Sequence, residues 1–213
     1  VAVALIPSQA HNYDRNSPSN LSLILEDIQD PGNIGTILRC AEAFGVRDVM
    51  FISNTVTSNF LQNTSASSSA ASLIETNAAA STCTGISRLY SRVTIRASMG
   101  ALFRSRLRIF KDVPSAIRFL QKHNIRVIAS TPHSYSTKLH DFLDAFGKVP
   151  DACYSVAVGN EASGISKALL DHSYAKVRIE MHGDIESLNV AVASGILLNR
   201  ITEKFRRVRS ERP

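Results

Sequence analysis

Short apolar runs alternate with stretches of helical periodicity along most of the chain. The first two runs, 21–25 and 49–52, are apolar except for Ser22, which is typical of strands buried on both faces of a sheet. Between them, apolar residues recur at helical spacing from Ile34 to Phe44, and Gly45 predicts the end of that helix. Later apolar runs predict further strands at 93–95, 125–129, 155–158 and 175–179.

Helical segments are predicted between and after these strands. Ser98 is predicted to cap a helical turn that reaches Phe103, and Pro114 favours the first turn of another helix. From Asn189 onward a single apolar stripe predicts an amphipathic helix that packs on the core or on a partner. That stripe consists of Val190, Ala193, Leu197, Ile201 and Phe205. The remaining predicted helices lie at 114–123 and 168–171.

The alternation of strands and helices predicts an α/β fold with a mostly parallel sheet flanked by helices. Residues 1–20 are polar and irregular, which predicts a tail or a linker. Residues 53–84 are rich in Ser, Thr, Ala and Asn and carry no Lys or Arg, which predicts a low-complexity insertion. We therefore predict one domain over 21–205 that contains this insertion, followed by a basic tail at 206–213.

Composition narrows the class of protein. The chain has 213 residues, of which 44% are hydrophobic and 20% charged, as in a globular protein of one domain. No apolar run approaches the roughly 20 residues of a membrane span. Three widely spaced cysteines predict reduced thiols in an intracellular protein, cytoplasmic or organellar, and their spacing predicts no metal site. The chain begins without Met, so a targeting peptide could precede it.

Charge is unevenly distributed along the chain. The net charge of the chain is +6. Residues 1–85 carry three basic and seven acidic residues, so the net charge of the remaining residues is +10. A basic surface of this kind attracts polyanions, although it does not by itself establish nucleic-acid binding. Arg104, Arg106 and Arg108 alternate with other residues and would share one face of an extended segment. They are either a charged strand edge that resists aggregation or a row of phosphate contacts.

Three polar loops that contain glycine follow apolar runs, at 27–33, 159–166 and 179–189. Loops at the carboxyl ends of parallel strands are where open α/β folds bind ligands. Gly159 and Gly164 allow the backbone to approach closely, either to a ligand or only to form a turn. Neither a dinucleotide-binding Gly-x-Gly-x-x-Gly pattern nor a phosphate-binding Gly-Lys-Ser/Thr loop is present, which disfavours those two enzyme classes.

In this order, the three loops and the strands before them resemble the motifs of the SpoU family, also called TrmH, of RNA ribose methyltransferases. The resemblance covers 21–205 apart from the insertion, and its matching segments are 26–39, 96–104, 156–166 and 179–191. It implies an α/β fold whose C-terminal part is a trefoil knot. It also implies S-adenosyl-L-methionine as methyl donor, a ribose 2′-hydroxyl of ribosomal or transfer RNA as acceptor, and a homodimer.

The resemblance further implies roles for individual residues. The implied catalytic residues are Asn33, Arg39, Glu161, Ser187 and Asn189. The implied cofactor-binding residues are Thr131, Val158, Gly159, Asn160, Glu161, Gly164, Ile179, Met181, Ser187, Leu188 and Asn189. The candidate RNA-binding residues are Arg39, Arg104, Arg106 and Arg108.

Several of these residues have simpler interpretations. A guanidinium is almost always protonated, so we expect Arg39 to hold the target phosphate and stabilise a developing alkoxide rather than act as a base. Alternatively, Arg39 could be a surface residue paired with Glu42 or Asp30. Ser187 could only cap the last helix. Asp27 and Asp30 together could suggest a metal-binding loop, but no further acidic partners support one.

The preferred function is therefore a ribose 2′-O-methyltransferase acting on RNA. One alternative is a non-catalytic RNA-binding or assembly factor with the same fold, and another is a knotted methyltransferase that modifies a base nitrogen. All five implied catalytic positions carry the expected residue type, which favours an active enzyme. The Asn and Arg of the first motif favour ribose over a base.

Overall fold

The computed structural model describes residues 20–53, 85–145 and 152–210 of the chain. The predicted tail at 1–20 and the predicted insertion at 53–84 lie outside these residues, apart from Asn20 and Ser53. The two boundaries predicted for the domain stay predictions.

A parallel sheet of seven strands organises the described residues. Its strands are β1 (Leu21–Glu26), β2 (Asp48–Ile52), β3 (Arg106–Phe110), β4 (Ile125–Ser130), β5 (Thr137–Lys138), β6 (Cys153–Val158) and β7 (Ala175–Arg178). The spatial order is β3-β2-β1-β6-β4-β7-β5, and every neighbouring pair is parallel. The predicted α/β class with a mostly parallel sheet is confirmed.

Eight helices connect these strands within the described part of the chain. They are α1 (Pro31–Ala43), α2 (Gly85–Leu89), α3 (Arg92–Ala97), α4 (Ala101–Arg104), α5 (Val113–Lys122), α6 (Leu139–Ala145), α7 (Lys167–His172) and α8 (Val190–Ser210). None of them is long and apolar enough to cross a membrane.

Each face of the sheet has its own hydrophobic core. Leu23 and Leu25 of β1 join one core with apolar residues of α1, α6 and α8. Ile24, between them in sequence, joins the opposite core with residues of α5 and α7. Because successive residues of a strand point to opposite faces, a mostly apolar strand such as β1 is buried on both sides. The short apolar runs therefore predict the central strands well.

The strand predicted at 93–95 is wrong, because these residues belong to helix α3. The Ser91 hydroxyl accepts a hydrogen bond from the Thr94 amide at 3.1 Å and so caps the helix. Ser98, predicted as an N-cap, instead lies at the C-terminal end of α3 and donates its hydroxyl proton to the Ile95 carbonyl at 3.0 Å. The turn that follows is the short helix α4, which begins after Gly100 in the left-handed region at φ 83°.

The two predicted arginine clusters are also placed differently. Strand β3 begins at Arg106, whereas Arg104 ends α4, so the three alternating arginines do not share one strand face. Strand β3 is nevertheless an edge strand, as the charged-edge interpretation requires. Helix α8 continues to Ser210, so the segment predicted as a basic tail from Arg206 begins inside that helix.

Candidate active site

Four neighbouring strands end at one edge of the sheet. Strands β1, β6, β4 and β7 are adjacent and parallel, so the loops after them emerge side by side. Those loops carry almost all of the proposed cofactor-binding residues. The Thr131 amide, in the loop after β4, donates a hydrogen bond to the Val177 carbonyl of β7 at 2.9 Å, which fixes the start of this loop against the neighbouring strand.

Glu161 connects the loop after β6 to the loop after β1. Its carboxylate accepts hydrogen bonds from the backbone amides of Gln29 at 3.0 Å and Asp30 at 3.2 Å. It also accepts one from the Asn33 side-chain nitrogen at 3.0 Å. Three donors from one short segment therefore converge on a single carboxylate that is far away in sequence.

The surroundings of Glu161 keep it ionised. Partial burial acts to raise the pKa of this carboxyl, but the hydrogen bonds from Asn33, Gln29 and Asp30 outweigh it and lower the pKa below its ordinary value of 4.5. A carboxylate with a lowered pKa is a poor proton acceptor at neutral pH. The geometry therefore fits a residue that positions the loops better than a general base.

Asn189 extends this connection to the last helix. Its side-chain nitrogen donates a hydrogen bond to the Asn33 side-chain oxygen at 3.0 Å. Its own side-chain oxygen accepts hydrogen bonds from the amides of Ala191 at 2.9 Å and Val192 at 3.3 Å. Asn189 thus caps α8, so the alternative in which Ser187 is the cap is wrong.

The loop after β6 folds tightly on itself. The Asn160 side-chain oxygen accepts hydrogen bonds from the amides of Ala162 and Ser163, and its side-chain nitrogen donates to the Asp27 carbonyl at 3.0 Å. A Cβ added at Gly159 would lie 2.4 Å from the Gly164 carbonyl carbon and oxygen. Gly164 itself has φ 70°, a conformation that other residues rarely adopt. The turn interpretation of both glycines is therefore supported by the geometry.

A buried carboxylate anchors the far end of this loop. Glu26, the last residue of β1, is only 3% exposed, and its carboxylate accepts a hydrogen bond from the Ser166 amide at 3.0 Å. Ser166 in turn caps α7. Both ends of the loop after β6 are consequently tied to β1 or to the segment that follows it.

The loop after β7 offers features that suit an adenosyl ligand. Met181 and Leu188 are each 36% exposed although they are apolar. Within the described part of the chain, the backbone groups from Met181 to Leu188 make no hydrogen bond. An apolar surface beside unpaired backbone donors and acceptors is what a small-molecule site requires. Ile179 begins this loop, Thr131 begins the loop after β4, and Val158 ends β6.

Arg39 lies on the exposed face of α1, nearly two turns after Asn33. It makes neither a hydrogen bond nor an ion pair with any of the described residues, so the alternative pairing with Glu42 or Asp30 is wrong. Glu42 pairs instead with Arg104 at 3.0 Å. Arg39 therefore presents its guanidinium to solvent, where an anionic group of a ligand could reach it.

The acidic residues of the first loop have structural partners. The Asp30 carboxylate accepts hydrogen bonds from the amides of Gly32 and Asn33 and so caps α1. Asp27 lies 3.9 Å from the Arg88 guanidinium. Among the residues that the structure describes, no three His, Cys, Asp or Glu side chains are grouped to hold a metal ion.

The alternating arginines are engaged with other side chains. Arg106 makes a two-point ion pair with Asp48, at 2.8 and 2.6 Å, and the Arg108 guanidinium carbon lies 4.4 Å from the centre of the Phe119 ring. RNA contact by Arg104, Arg106 and Arg108 stays a prediction. Cys40, next to Arg39, is half-buried, and this burial raises the pKa of its thiol more than Arg39 lowers it.

Sequence reasoning missed how the site is held together. The Asp-Pro step at Asp30 is a recognisable start of a helix, because Asp is a favoured cap and Pro is favoured at the first helical position. That signal could have placed Asn33 in the first turn of α1. The link from Asn33 to Glu161 and Asn189 leaves no signal in local sequence, because it joins residues distant in the chain.

Comparison with known proteins shows to which family this chain belongs. The profile of the SpoU rRNA Methylase family matches residues 20–89 and 77–199, which together cover most of the chain. This chain belongs to the SpoU rRNA methylase family. The family resemblance inferred from the loops is thus confirmed.

Named relatives of this SpoU-family chain include RNA methyltransferases. It is 25% identical over 177 residues to the 23S rRNA (guanosine(2553)-2′-O)-methyltransferase RlmP of Bacillus subtilis, covering 83% of this chain and 55% of that protein. It is 31% identical over 186 residues to an uncharacterized tRNA/rRNA methyltransferase of Mycoplasma pneumoniae, covering 87% and 61%. The chain therefore spans little more than half the length of these relatives.

A solved structure shares the fold over nearly the whole chain. An RNA 2′-O ribose methyltransferase superposes with a TM-score of 0.64 and 25% identity, covering 93% of this chain and 61% of the other. An rRNA methyltransferase of Sinorhizobium meliloti, solved with bound AdoMet, has a TM-score of 0.63 at 23% identity, covering 86% and 56%. At that identity the second likeness speaks for the fold alone.

Proposed function

We propose that this chain is an S-adenosyl-L-methionine-dependent methyltransferase that methylates a ribose 2′-hydroxyl of ribosomal or transfer RNA. The observation that carries the proposal is the continuous hydrogen-bonded link from Glu161 through Asn33 to Asn189. This link joins the loops after β6 and β7 to the first turn of α1, and each of its residues belongs to a different motif of the family. The names of the relatives support the same activity. An RNA substrate would place it in the cytoplasm or an organelle.

The loops after β4, β6 and β7 would hold the methyl donor. The apolar side chains of Met181 and Leu188 and the unpaired backbone between them fit an adenosyl group. The proposed binding set is Thr131, Val158, Gly159, Asn160, Glu161, Gly164, Ile179, Met181, Ser187, Leu188 and Asn189. S-adenosyl-L-methionine would supply an electrophilic methyl group on a sulfonium.

The chain's own residues would bind and orient the acceptor. Arg39 is the exposed cation of α1 and would hold a phosphate next to the target ribose and stabilise negative charge on its oxygen. The Glu161–Asn33–Asn189 link would fix the distance between α1 and the donor loops, because positioning alone can remove several kcal/mol from a transfer barrier. We assign Ser187, exposed in the loop before α8, to contact with the reacting groups.

Two further expectations belong to this proposal. The C-terminal part would form a trefoil knot, which is supported by the position of β7 between β4 and β5, two strands that precede it in the chain. The protein would also form a homodimer. Light scattering at micromolar concentration tests the homodimer, and a mass of a single chain would count against it.

The direct test measures transfer of a labelled methyl group from S-adenosyl-L-methionine to unmodified RNA. Arg39→Ala should abolish transfer but leave binding of S-adenosyl-L-methionine, measured by calorimetry, close to that of the wild type. Arg118→Ala is the matched control, because Arg118 is an exposed arginine of α5 on the opposite face of the sheet. Near-normal transfer by Arg39→Ala would show that its assigned role is wrong, and no transfer by the wild type would remove the proposed activity.

A further inference from the structure

An aromatic and basic surface lies beside the candidate site and takes no part in it. It consists of His133 and Tyr135 from the loop after β4, and Lys176 and Arg178 from β7. We call these four residues the aromatic–basic patch. The loop after β4 begins at Thr131, so the patch shares this loop with the proposed donor site, and its β7 residues directly precede the loop that begins at Ile179.

The two rings of the patch stack and remain exposed. The ring centres of His133 and Tyr135 are 5.2 Å apart, with 22° between the ring planes. Tyr135 keeps 61% of its surface exposed, and His133 is also exposed. A stacked pair of exposed rings offers a flat surface on which another ring can stack.

Two cations accompany the rings. The Lys176 ammonium lies 5.5 Å from the centre of the Tyr135 ring. Arg178 donates one hydrogen bond to the Ser134 carbonyl at 3.2 Å, which uses one of the five N–H groups of its guanidinium. Lys176 and Arg178 are alternate residues of β7, so their side chains leave the same face of the sheet.

Nearby acidic groups are already matched by other cations. Glu180 is paired with Lys138 at 2.6 Å. Asp171, which acts electrostatically on Lys176, is paired with Lys167 four residues earlier in α7. The patch therefore keeps positive charge beside exposed rings. Single-stranded nucleic acid is recognised by this combination, because bases stack on aromatic rings and phosphates contact lysine and arginine.

We propose that the aromatic–basic patch binds a single-stranded segment of RNA, with a base stacked on the His133–Tyr135 rings and a phosphate held by Lys176 and Arg178. This inference rests on the proposed function for the identity of the RNA as substrate. A base held here would lie next to the donor loops and could set which nucleotide reaches them. A paired helix should bind less well, because its bases are not free to stack.

The test measures fluorescence anisotropy of a labelled, single-stranded oligoadenylate with the purified chain at several salt concentrations. Tyr135→Ala should weaken binding about 5- to 150-fold, the range that stacking of one base supplies, and Tyr135→Phe should restore it. Lys176→Ala should reduce the slope of log affinity against log salt by about one. Tyr174→Ala is the matched control, because Tyr174 is a similarly exposed tyrosine, at 54%, whose ring packs against the Arg126 guanidinium carbon at 5.0 Å and against the Tyr154 ring.

The outcomes separate this inference from the proposed function. Unchanged RNA affinity in Tyr135→Ala, equal loss in Tyr174→Ala, or no RNA binding by the wild type would each overturn the inference. Binding of S-adenosyl-L-methionine, measured by calorimetry on the same samples, should be equal in the wild type and Tyr135→Ala. RNA binding that depends on Tyr135 in a protein that transfers no methyl group would uphold the patch and reject the enzyme.

Discussion

Replacing Glu161 with Gln should destabilise the fold at neutral pH, because this carboxylate holds three donors from the segment 29–33. One oxygen accepts from Asp30 and Asn33, and the other from Gln29. A glutamine oxygen can keep the first pair of bonds, but its NH₂ group would face the Gln29 amide, so that bond is lost. The two remaining bonds would also lose the charge that makes them roughly twice as strong as neutral ones.

The expected cost follows from these bonds. A hydrogen bond to a charged group contributes about 1.5–3 kcal/mol when it is buried, and Glu161 is exposed, so water compensates for part of the loss. We expect the free energy of unfolding to fall by about 1–2 kcal/mol. For a chain of this size, the melting temperature should fall by roughly 2–8 °C. Glu203→Gln is the matched control, because Glu203 pairs with Arg207 at 3.0 Å on the exposed side of α8 and should cost under about 0.5 kcal/mol.

The effect should depend on pH in a defined direction. The pKa of Glu161 is lowered in the folded protein, so its stabilisation is fully present above the ordinary value of 4.5 and is lost as pH falls through the folded pKa. Thermal melts followed by circular dichroism should therefore show a gap between the wild type and Glu161→Gln at pH 7 that closes in acid. A gap that persists at low pH, or no gap at pH 7, would refute the role assigned to this carboxylate.

Two other substitutions test the same loops. Gly159→Ala should lower the melting temperature and abolish binding of S-adenosyl-L-methionine, because the added Cβ would lie 2.4 Å from the Gly164 backbone. Gly183→Ala is the control and should leave the melting temperature unchanged, because no atom lies within 4 Å of its added Cβ. Asn189→Asp should keep the cap of α8 but lose the hydrogen bond that Asn189 donates to Asn33. Asn189→Ala loses both interactions, so its free energy of unfolding, measured by chemical denaturation, should be lower by a further 0.5–2 kcal/mol, roughly. Equal stability of the two Asn189 variants would contradict the capping role, and normal turnover and donor affinity in both would remove Asn189 from the site.

Much of the sheet could be predicted from the sequence because its central strands are buried on both faces. Strands such as β1 and β6 are mostly apolar and are followed by polar loops, a pattern typical of the interior of a parallel sheet. The strand predicted at 93–95 is wrong because its β-branched residues favour a strand in isolation. In the fold, close packing of α3 against α1 outweighs this local preference. The two helices approach so closely that a Cβ added at Gly35 of α1 would lie 2.6 Å from the Ala97 Cβ of α3.

The residues of the candidate site can be proposed from the sequence, whereas their connections cannot. Asn33, Glu161 and Asn189 stand in recognisable motifs, so the resemblance identified them. Their mutual hydrogen bonds depend on the adjacency of β1 and β6, strands that are far apart in the chain. The role of Glu161 as a link between loops, rather than a proton acceptor, follows only from the donors that surround it.

The most direct test of ribose methylation by this chain is to identify the nucleoside that it methylates. Unmodified RNA is incubated with the chain and S-adenosyl-L-methionine, digested to nucleosides and analysed by mass spectrometry. We expect a 2′-O-methylated nucleoside from the reaction with the wild type and none from the reaction with Arg39→Ala. A methylated base with an unmodified ribose would indicate a different methyltransferase, and no methylated nucleoside from a folded protein would indicate a non-catalytic RNA-binding factor.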